Sequence, residues 1–393
     1  DVVGFPTTYG FPGYKDYFPK KNSIIVDRQI DAGGIIIGKT NTAELGVGAH
    51  TANRLFGTTP NIYGNSQSSG GSSGGAGVAV AANLLPFADG TDMMGSCRTP
   101  AAYANVYGFR PTPGLLPDYR TNEKKKNLPI ISTPGCLART PDDMSILLDV
   151  IVGEHKEDPI SFSLTNSFKD ANLSDQEFSK IKIGWLSDMN GNYQYDPEII
   201  EICNKQLNNL EKLKVVIEYL KPKIDAYKLW NCWGTLRAKS IYEDIITMNI
   251  KEVNEMTPQA IWEYNKGIKL TEEDVKLALN SRIELSNDVN SLFGDFDFLA
   301  LPSQQAFPFD KNLKYPEKIN DSPMDTYHRW IEIHIFASLF YLPSISLPIG
   351  FNKDGFPIGI QIIAKEKEDL KVLAFAKKYE EIYQYSKIKP NLS

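Results

Sequence analysis

The chain has 393 residues, enough for one large α/β domain or for two to three domains of average size. Its composition, 42% hydrophobic and 23% charged, excludes a wholly disordered chain, and no run approaches the ~20 apolar residues of a membrane-spanning helix. The net charge of -6 has the wrong sign for a nucleic-acid-binding protein, so we expect neither nucleic acid nor a membrane among its partners.

The first third of the chain alternates helix and strand signals. Ser23 can cap a helix that begins at Ile24, and a pair of glycines at 33 and 34 would end it. Residues 35–37 are three isoleucines, a pattern typical of a strand buried on both faces. The small apolar residues 76–83 predict a tightly packed helix, and residues 84–88 predict another buried strand. This alternation favours an α/β fold with a parallel or mixed sheet.

The remainder of the chain predicts one further well-marked helix start, a helical region and a return to strands. Thr140 is an expected N-cap, with Pro141 at the first helical position and Asp143 placed to close a capping box. The polar and Lys/Glu-rich pattern of residues 155–295 predicts a mostly helical insertion. Strands are predicted over 298–301, 344–347 and 358–363, and a last helix over 368–383. We therefore expect a single domain, residues 1–393, that carries this insertion.

The cysteines and histidines show no metal-binding or disulfide spacing. None of the cysteines forms a C-x-x-C pair, so a reducing compartment, the cytoplasm, is expected; they are Cys97, Cys136, Cys203 and Cys232. The histidines form no H-E-x-x-H motif, so we expect no metal; they are His50, His155, His328 and His334. His50 lies in a glycine-rich loop, where we expect it to be hydrogen-bonded.

Residues 33–40, G-G-I-I-I-G-K-T, formally match the phosphate-binding pattern G-x-x-x-x-G-K-[ST]. A phosphate loop must be a cradle of backbone N–H groups from which a helix starts at the lysine. Here three isoleucines occupy the supposed loop and Asn41 delays any helix. We therefore reject nucleotide binding at this segment.

Two glycine-rich loops carry the strongest functional signal. Residues 68–75, S-S-G-G-S-S-G-G, have the composition of a flexible linker, yet they run directly into the packed small-residue segment 76–82. A second unusual loop follows at residues 90–98, G-T-D-M-M-G-S-C-R. Glycines at both places would allow backbone N–H groups to converge on a developing anion, as an oxyanion hole requires.

These motifs resemble the amidase signature hydrolases, whose hallmark is G-G-S-S-G-G followed by G-T-D-x-G-G-S-x-R-x-P-A and G-x-x-P-T. The matching segments are G-G-S-S-G-G at 70–75, G-T-D-M-M-G-S-C-R-T-P-A at 90–101 and G-F-R-P-T at 108–112. Further matches at 32–41, 137–140, 342–348 and 355–359 extend the resemblance over nearly the whole chain. It implies an α/β fold with a mixed β-sheet core covered by helices on both faces, and a reaction that needs no cofactor.

The resemblance also implies a role for each matching site residue. Ser96 would be the nucleophile that forms an acyl-enzyme. Ser72, whose preceding peptide bond is cis in this family, would pass the proton of Ser96 to a lysine and later return it to the leaving amine. The backbone N–H groups of Met93, Met94, Gly95 and Ser96 would form the oxyanion hole.

The chain departs from the family pattern at two points. Met94 stands where the family usually has glycine, and its side chain is expected to narrow the pocket or to select substrates. The family's lysine lies just upstream of the segment that matches residues 1–8, so we expect an N-terminal segment to supply it. The lysines that follow do not fit the motif, and the one in the matched strand end is expected to be structural; they are Lys15, Lys20, Lys21 and Lys39.

The leading hypothesis is therefore an amidase that releases ammonia or an amine from a small-molecule carboxamide. The alternatives are the glutaminase component of an amidotransferase and a catalytically inactive scaffold with the same fold. The sequence identifies neither the substrate nor its binding residues, and it leaves a homo-oligomer open. The tryptophans are expected to pack in the core, namely Trp230, Trp233, Trp262 and Trp330.

Overall fold

A computed structural model describes residues 1–119, 125 and 127–391 of the chain. Its strands are β1 (Ala52–Asn53), β2 (Gly57–Thr58), β3 (Pro60–Asn61), β4 (Gly64–Ser68), β5 (Phe87–Asp92), β6 (Tyr107–Arg110), β7 (Thr133–Ala138), β8 (Lys182–Trp185), β9 (Val216–Tyr219), β10 (Phe298–Pro302), β11 (Lys318–Ile319), β12 (Ser322–Pro323), β13 (Ser344–Phe351) and β14 (Pro357–Ile363).

The α-helices are α1 (Ile24–Asp31), α2 (Gly74–Ala81), α3 (Arg98–Ala104), α4 (Pro141–Ile151), α5 (Asp175–Phe178), α6 (Ile199–Lys212), α7 (Ala226–Thr247), α8 (Pro258–Gly267), α9 (Glu272–Phe293), α10 (Ile335–Leu339) and α11 (Asp369–Tyr383). Short 3-10 helices lie at Pro12–Tyr14, Glu44–Gly46, Phe168–Asp170, Val253–Glu255, Arg329–His334 and Tyr385–Lys387. Among the described residues, no helix combines the length and apolar character that crossing a membrane requires.

The core is an eight-stranded sheet with the order β5-β7-β6-β13-β14-β10-β8-β9. Neighbouring strands are antiparallel from β5 to β10, whereas β10–β8 and β8–β9 are parallel, so the sheet is mixed as predicted. Helices α2 and α4 both contact β5 and β7, and helices α3 and α6 both contact β13 and β14. Helices therefore cover both faces of an α/β core, which confirms the predicted fold class.

The apolar runs near the C-terminus form the buried centre of this sheet. Every residue of β10 and of β14 is buried, because helices cover both of their faces. The predicted last helix is confirmed as α11, and the predicted start at Thr140 is confirmed as well. Thr140 Oγ1 accepts a hydrogen bond from the Asp143 N–H at 3.0 Å, which satisfies one of the free donors at the start of α4.

Two strands predicted near the N-terminus differ from the structure: one does not form, and the other covers different residues and lies at the edge of the sheet. Residues 35–37 form no strand; Ile35 and Ile37 are 87% and 69% exposed, because no described strand pairs with this segment and no helix covers it. The strand predicted over 84–88 begins at Phe87 and continues to Asp92, and Leu84 is exposed. That strand, β5, is an edge of the main sheet, so only part of its surface is covered.

The range 155–295 contains helices α5 to α9, as its composition indicates, but it also contributes two strands of the main sheet. Strands β8 and β9 extend the sheet beyond β10 through parallel pairing, in which Trp185 lies opposite Ala300 and Tyr219. The helical insertion over this range, and its place within a single domain, stay predictions.

Candidate active site

The loop that precedes α2 contains a cis peptide bond between Gly71 and Ser72. Gly71 lies so close to the neighbouring loop that an added Cβ would come within 2.7 Å of the backbone of Ala49 and His50. A side chain at this position would therefore displace backbone, not merely a flexible side chain. The Ser72 carbonyl is held in turn, because it accepts hydrogen bonds from the Ala43 N–H at 3.2 Å and from the Thr42 hydroxyl at 3.0 Å.

The two loops that the sequence singles out lie side by side. The Ser73 N–H donates to the carbonyl oxygen of Ser96 at 3.2 Å, which joins the loop before α2 to the loop before α3. Behind this junction, α2 and α3 pack closely, since a Cβ added at Gly77 would lie 3.2 Å from the Pro100 carbonyl oxygen. Ser72 and Ser96 are both largely buried, with 3% and 8% of their surface exposed.

The Asp92 carboxylate fixes the backbone of the loop around Ser96. Asp92 is the last residue of β5, and its two oxygens accept the N–H groups of Gly95 at 2.9 Å and of Cys97 at 3.2 Å. The Gly95 N–H, which was expected in the oxyanion hole, is therefore engaged with Asp92. Within the described part of the chain, the N–H groups of Met93, Met94 and Ser96 donate to no acceptor. Their part in an oxyanion hole stays a prediction.

Asp92 is itself held by two buried arginines. Arg98 binds it in a bidentate manner, with Nε donating to Oδ2 at 3.0 Å and Nη2 to Oδ1 at 2.9 Å. Arg110 donates to the backbone carbonyl of Asp92 and lies 3.7 Å from Oδ1. Burial alone would raise the pKa of Asp92, but the Arg98 and Arg110 guanidiniums lower it well below its ordinary value. The loop is thus anchored by a carboxylate that stays ionised.

The hydrogen bonds that hold Asp92 continue through Arg98 to the centre of the sheet. Arg98 Nη1 donates at 2.7 Å to Oε1 of Gln361 on β14, and Nη2 donates at 3.2 Å to the Ser338 hydroxyl. The amide nitrogen of Gln361 donates to the Pro302 carbonyl of β10 at 3.0 Å. Asp92, Arg98 and Arg110 were missed as site residues by sequence reasoning. The signal was present, because two of them are charged residues inside the small-residue motif at 90–101.

The side chains of Met93 and Met94, in the loop before Ser96, have different neighbours. Met94 is 3% exposed and packs in the main core, so its side chain is not free in a pocket. The Met93 sulfur accepts a hydrogen bond from Arg237 Nη1 at 3.0 Å. Of the tryptophans, Trp233 and Trp330 are buried as expected, whereas Trp262 is 38% exposed.

The side chains of His50 and Lys39, both singled out in the sequence, are hydrogen-bonded to groups other than Ser72 and Ser96. His50 is buried and hydrogen-bonded as expected, to the Ser68 hydroxyl at 2.7 Å and the Lys311 carbonyl at 3.0 Å. Lys39 Nζ donates to the Thr7 hydroxyl at 2.7 Å and to the Pro6 carbonyl at 3.2 Å. In the described ranges, no lysine or histidine is hydrogen-bonded to the hydroxyl of either serine, and no three His, Cys, Asp or Glu side chains cluster as a metal site would require.

Known proteins share the sequence pattern and the fold of this chain. The sequence model of the Amidase family matches residues 1–373. The chain is 30% identical over 393 residues to an acylamidase of Rhodococcus erythropolis, covering 99% of this chain and 80% of that protein. It is 27% identical to a glutamyl-tRNA(Gln) amidotransferase subunit of Sulfolobus acidocaldarius, covering 100% and 85%. The solved structure of a bacterial aryl acylamidase of the amidase signature family superimposes with a TM-score of 0.89 at 25% identity, covering 98% and 81%.

The chain therefore belongs to the amidase signature family, as its motifs indicate. Membership supports a hydrolase that acts on the C–N bond of amides.

Proposed function

We propose that this protein hydrolyses the C–N bond of a small carboxamide through an acyl-enzyme on Ser96, releasing ammonia or an amine. The observation that carries the proposal is the loop held by Asp92. Among the residues that the structure describes, the N–H groups of Met93, Met94 and Ser96 have no acceptor, and the loop that contains them is joined to the loop of Ser72. Pre-oriented donors of this kind stabilise a tetrahedral oxyanion by about 3 kcal/mol each.

In the proposed reaction, Ser96 Oγ attacks the amide carbonyl carbon, and its proton passes through the Ser72 hydroxyl to a base. The oxyanion collapses, the C–N bond breaks, and the leaving nitrogen takes the proton back through Ser72. Water then adds to the ester on Ser96, which yields the carboxylic acid and restores the free hydroxyl. The base in this proposal is a neutral lysine amine, as the family resemblance implies.

The proposal is tested by measuring ammonia or amine release from a panel of carboxamides, with protein expressed from its complete coding sequence. We expect Ser96→Ala to lower kcat by a factor of roughly 1,000 or more. We expect Ser72→Ala to lower it roughly 100- to 10,000-fold, the contribution of a positioned proton-transfer group. Ser145→Ala is the matched control, because Ser145 is equally buried but lies in α4. Equal rates for all three variants would overturn the proposal.

A second candidate is the glutaminase component of an amidotransferase, which the 27% identity to a glutamyl-tRNA(Gln) amidotransferase subunit favours. Such a component passes its ammonia to a partner active site, so it should co-purify with other subunits at fixed stoichiometry. The first candidate would be supported instead if the purified protein, without any other subunit, hydrolysed simple carboxamides and if glutamine were a poor substrate.

A further inference from the structure

A buried polar cluster joins helices α7 and α8 to the segment before Trp330. Arg237 of α7 donates from Nε to Glu263 Oε1 of α8 at 2.7 Å, and from Nη2 to the Tyr327 hydroxyl at 2.9 Å. The Tyr327 hydroxyl donates to the same Glu263 oxygen at 2.6 Å, which closes the triangle. All three side chains are buried, so the arginine and the carboxylate are paired away from water.

The remaining terminal nitrogen of Arg237 points to the loop around Ser96. Its Nη1 lies 3.0 Å from the sulfur of Met93, the first residue after β5. Met93 also packs against the apolar cluster that contains Tyr327 and Ile241 of α7. Because Glu263 and Tyr327 hold the planar guanidinium in a fixed orientation, the position of the Met93 sulfur is defined from outside the loop.

The contact between Arg237 and Met93 holds a part of the loop that the Asp92 carboxylate does not hold. Asp92 holds Gly95 and Cys97, but Met93 precedes both, and its own N–H is without an acceptor among the described residues. Burial by itself would lower the pKa of Arg237, but Tyr327 and Glu263 outweigh it and raise that pKa, so the guanidinium remains charged. A charged donor to the thioether therefore persists, although sulfur is a weak acceptor.

We propose that Arg237 is a positioning residue for the oxyanion hole, and that it acts through the Met93 side chain to hold the Met93 N–H toward the developing anion. This inference rests on the proposed function. It assigns to helices α7 and α8 an indirect part in catalysis, through Met93, in addition to covering the core.

The test compares Met93→Leu with Met93→Gln in the full protein. Leucine keeps the apolar volume and offers no acceptor, whereas the glutamine Oε1 can accept from Arg237. We expect Met93→Leu to lower kcat roughly tenfold with KM changed less than about threefold, and Met93→Gln to recover part of that loss in kcat. The inhibition constant of a trifluoromethyl ketone, which forms an oxyanion on the serine, should rise roughly tenfold in Met93→Leu and by a smaller factor in Met93→Gln.

Met189→Leu is the matched control, because Met189 is a buried methionine outside the loop. If wild type is active but Met93→Leu matches Met189→Leu in kcat and in inhibition, the inference is overturned and the proposed function stands. If Met93→Gln loses as much as Met93→Leu, an acceptor at this position is not what matters, and the inference is again overturned. If wild type neither hydrolyses carboxamides nor reacts at Ser96, the proposed function and the inference fall together.

Discussion

Gly95 lies against the imidazole of His334 so closely that a Cβ added at Gly95 would be 2.2 Å from the ring carbon Cδ2. His334 is fully buried, and its Nε2 is hydrogen-bonded to the Thr99 hydroxyl at 2.9 Å, so the ring has little freedom to move away. Gly95 also has a φ of +87°, a conformation that favours glycine. Two independent constraints thus require glycine one residue before Ser96.

Gly95→Ala should therefore destabilise the fold and remove activity. Gly355→Ala is the matched control, since Gly355 has a φ of +81° but no atom within 4 Å of its added Cβ. We expect the control to cost about 1–3 kcal/mol from backbone strain alone. Gly95→Ala should cost a further ~1–3 kcal/mol from overpacking. Urea unfolding of both variants measures the difference, and equal losses would contradict the close contact.

Removing the charge of Asp92 should be strongly destabilising. Asp92→Asn leaves Arg98 and Arg110 without their carboxylate inside the protein, a change that typically costs about 3–5 kcal/mol. Asp295→Asn is the control, because the Asp295–Lys182 pair is solvent-exposed and should contribute little. Denaturant unfolding would contradict this prediction if the two variants lost similar stability.

The same carboxylate should contribute to acid unfolding. The pKa of Asp92 in the folded protein lies well below its ordinary value of 3.8, so its ionised form stabilises the fold at all pH values above about 4. This contribution is lost as the pH falls below 4 toward the depressed pKa, where the carboxylate is protonated in the folded state as well. Unfolding free energies measured from pH 5 to pH 2 should therefore fall less steeply in Asp92→Asn than in wild type.

Glu332 should give the opposite pH dependence. Burial raises its pKa to about 7, although the Arg329 guanidinium at 3.0 Å opposes the shift. A raised carboxyl pKa contributes stability that is fully present below the ordinary value of 4.5 and is lost as the pH rises through about 7. In wild type the free energy of unfolding should therefore fall by an amount on the order of 3 kcal/mol between pH 4.5 and pH 8. We expect Glu332→Gln to abolish this decrease. Parallel stability curves for wild type and variant would contradict the shift.

The sequence predicted those parts of the fold that depend on local pattern. The buried strands over 298–301 and 358–363 and the capped helix at Thr140 are confirmed, because their signals lie in the segments themselves. The three isoleucines at 35–37 carry an equally strong signal and yet form no strand. Whether a strand forms also depends on a pairing partner, and local composition does not show one.

The family was predictable from ordered motifs, but the polar framework of the site was not. Arg98 bonds to Gln361, which is 263 positions away, and Arg237 reaches Met93 across 144 positions. Such contacts depend on tertiary packing, and they produce no periodic pattern in the sequence. The same limitation applies to the hydrogen bond from the Gly95 N–H to Asp92, which no local pattern indicates.

Covalent labelling with a fluorophosphonate, mapped by peptide mass, tests the central claim most directly. On protein expressed from its complete coding sequence, we predict one modified residue, Ser96, with labelling lost in Ser96→Ala and slowed in Ser72→Ala. Folded protein that remains unlabelled, or labelling that persists in Ser96→Ala, would contradict the claim that Ser96 is an activated nucleophile.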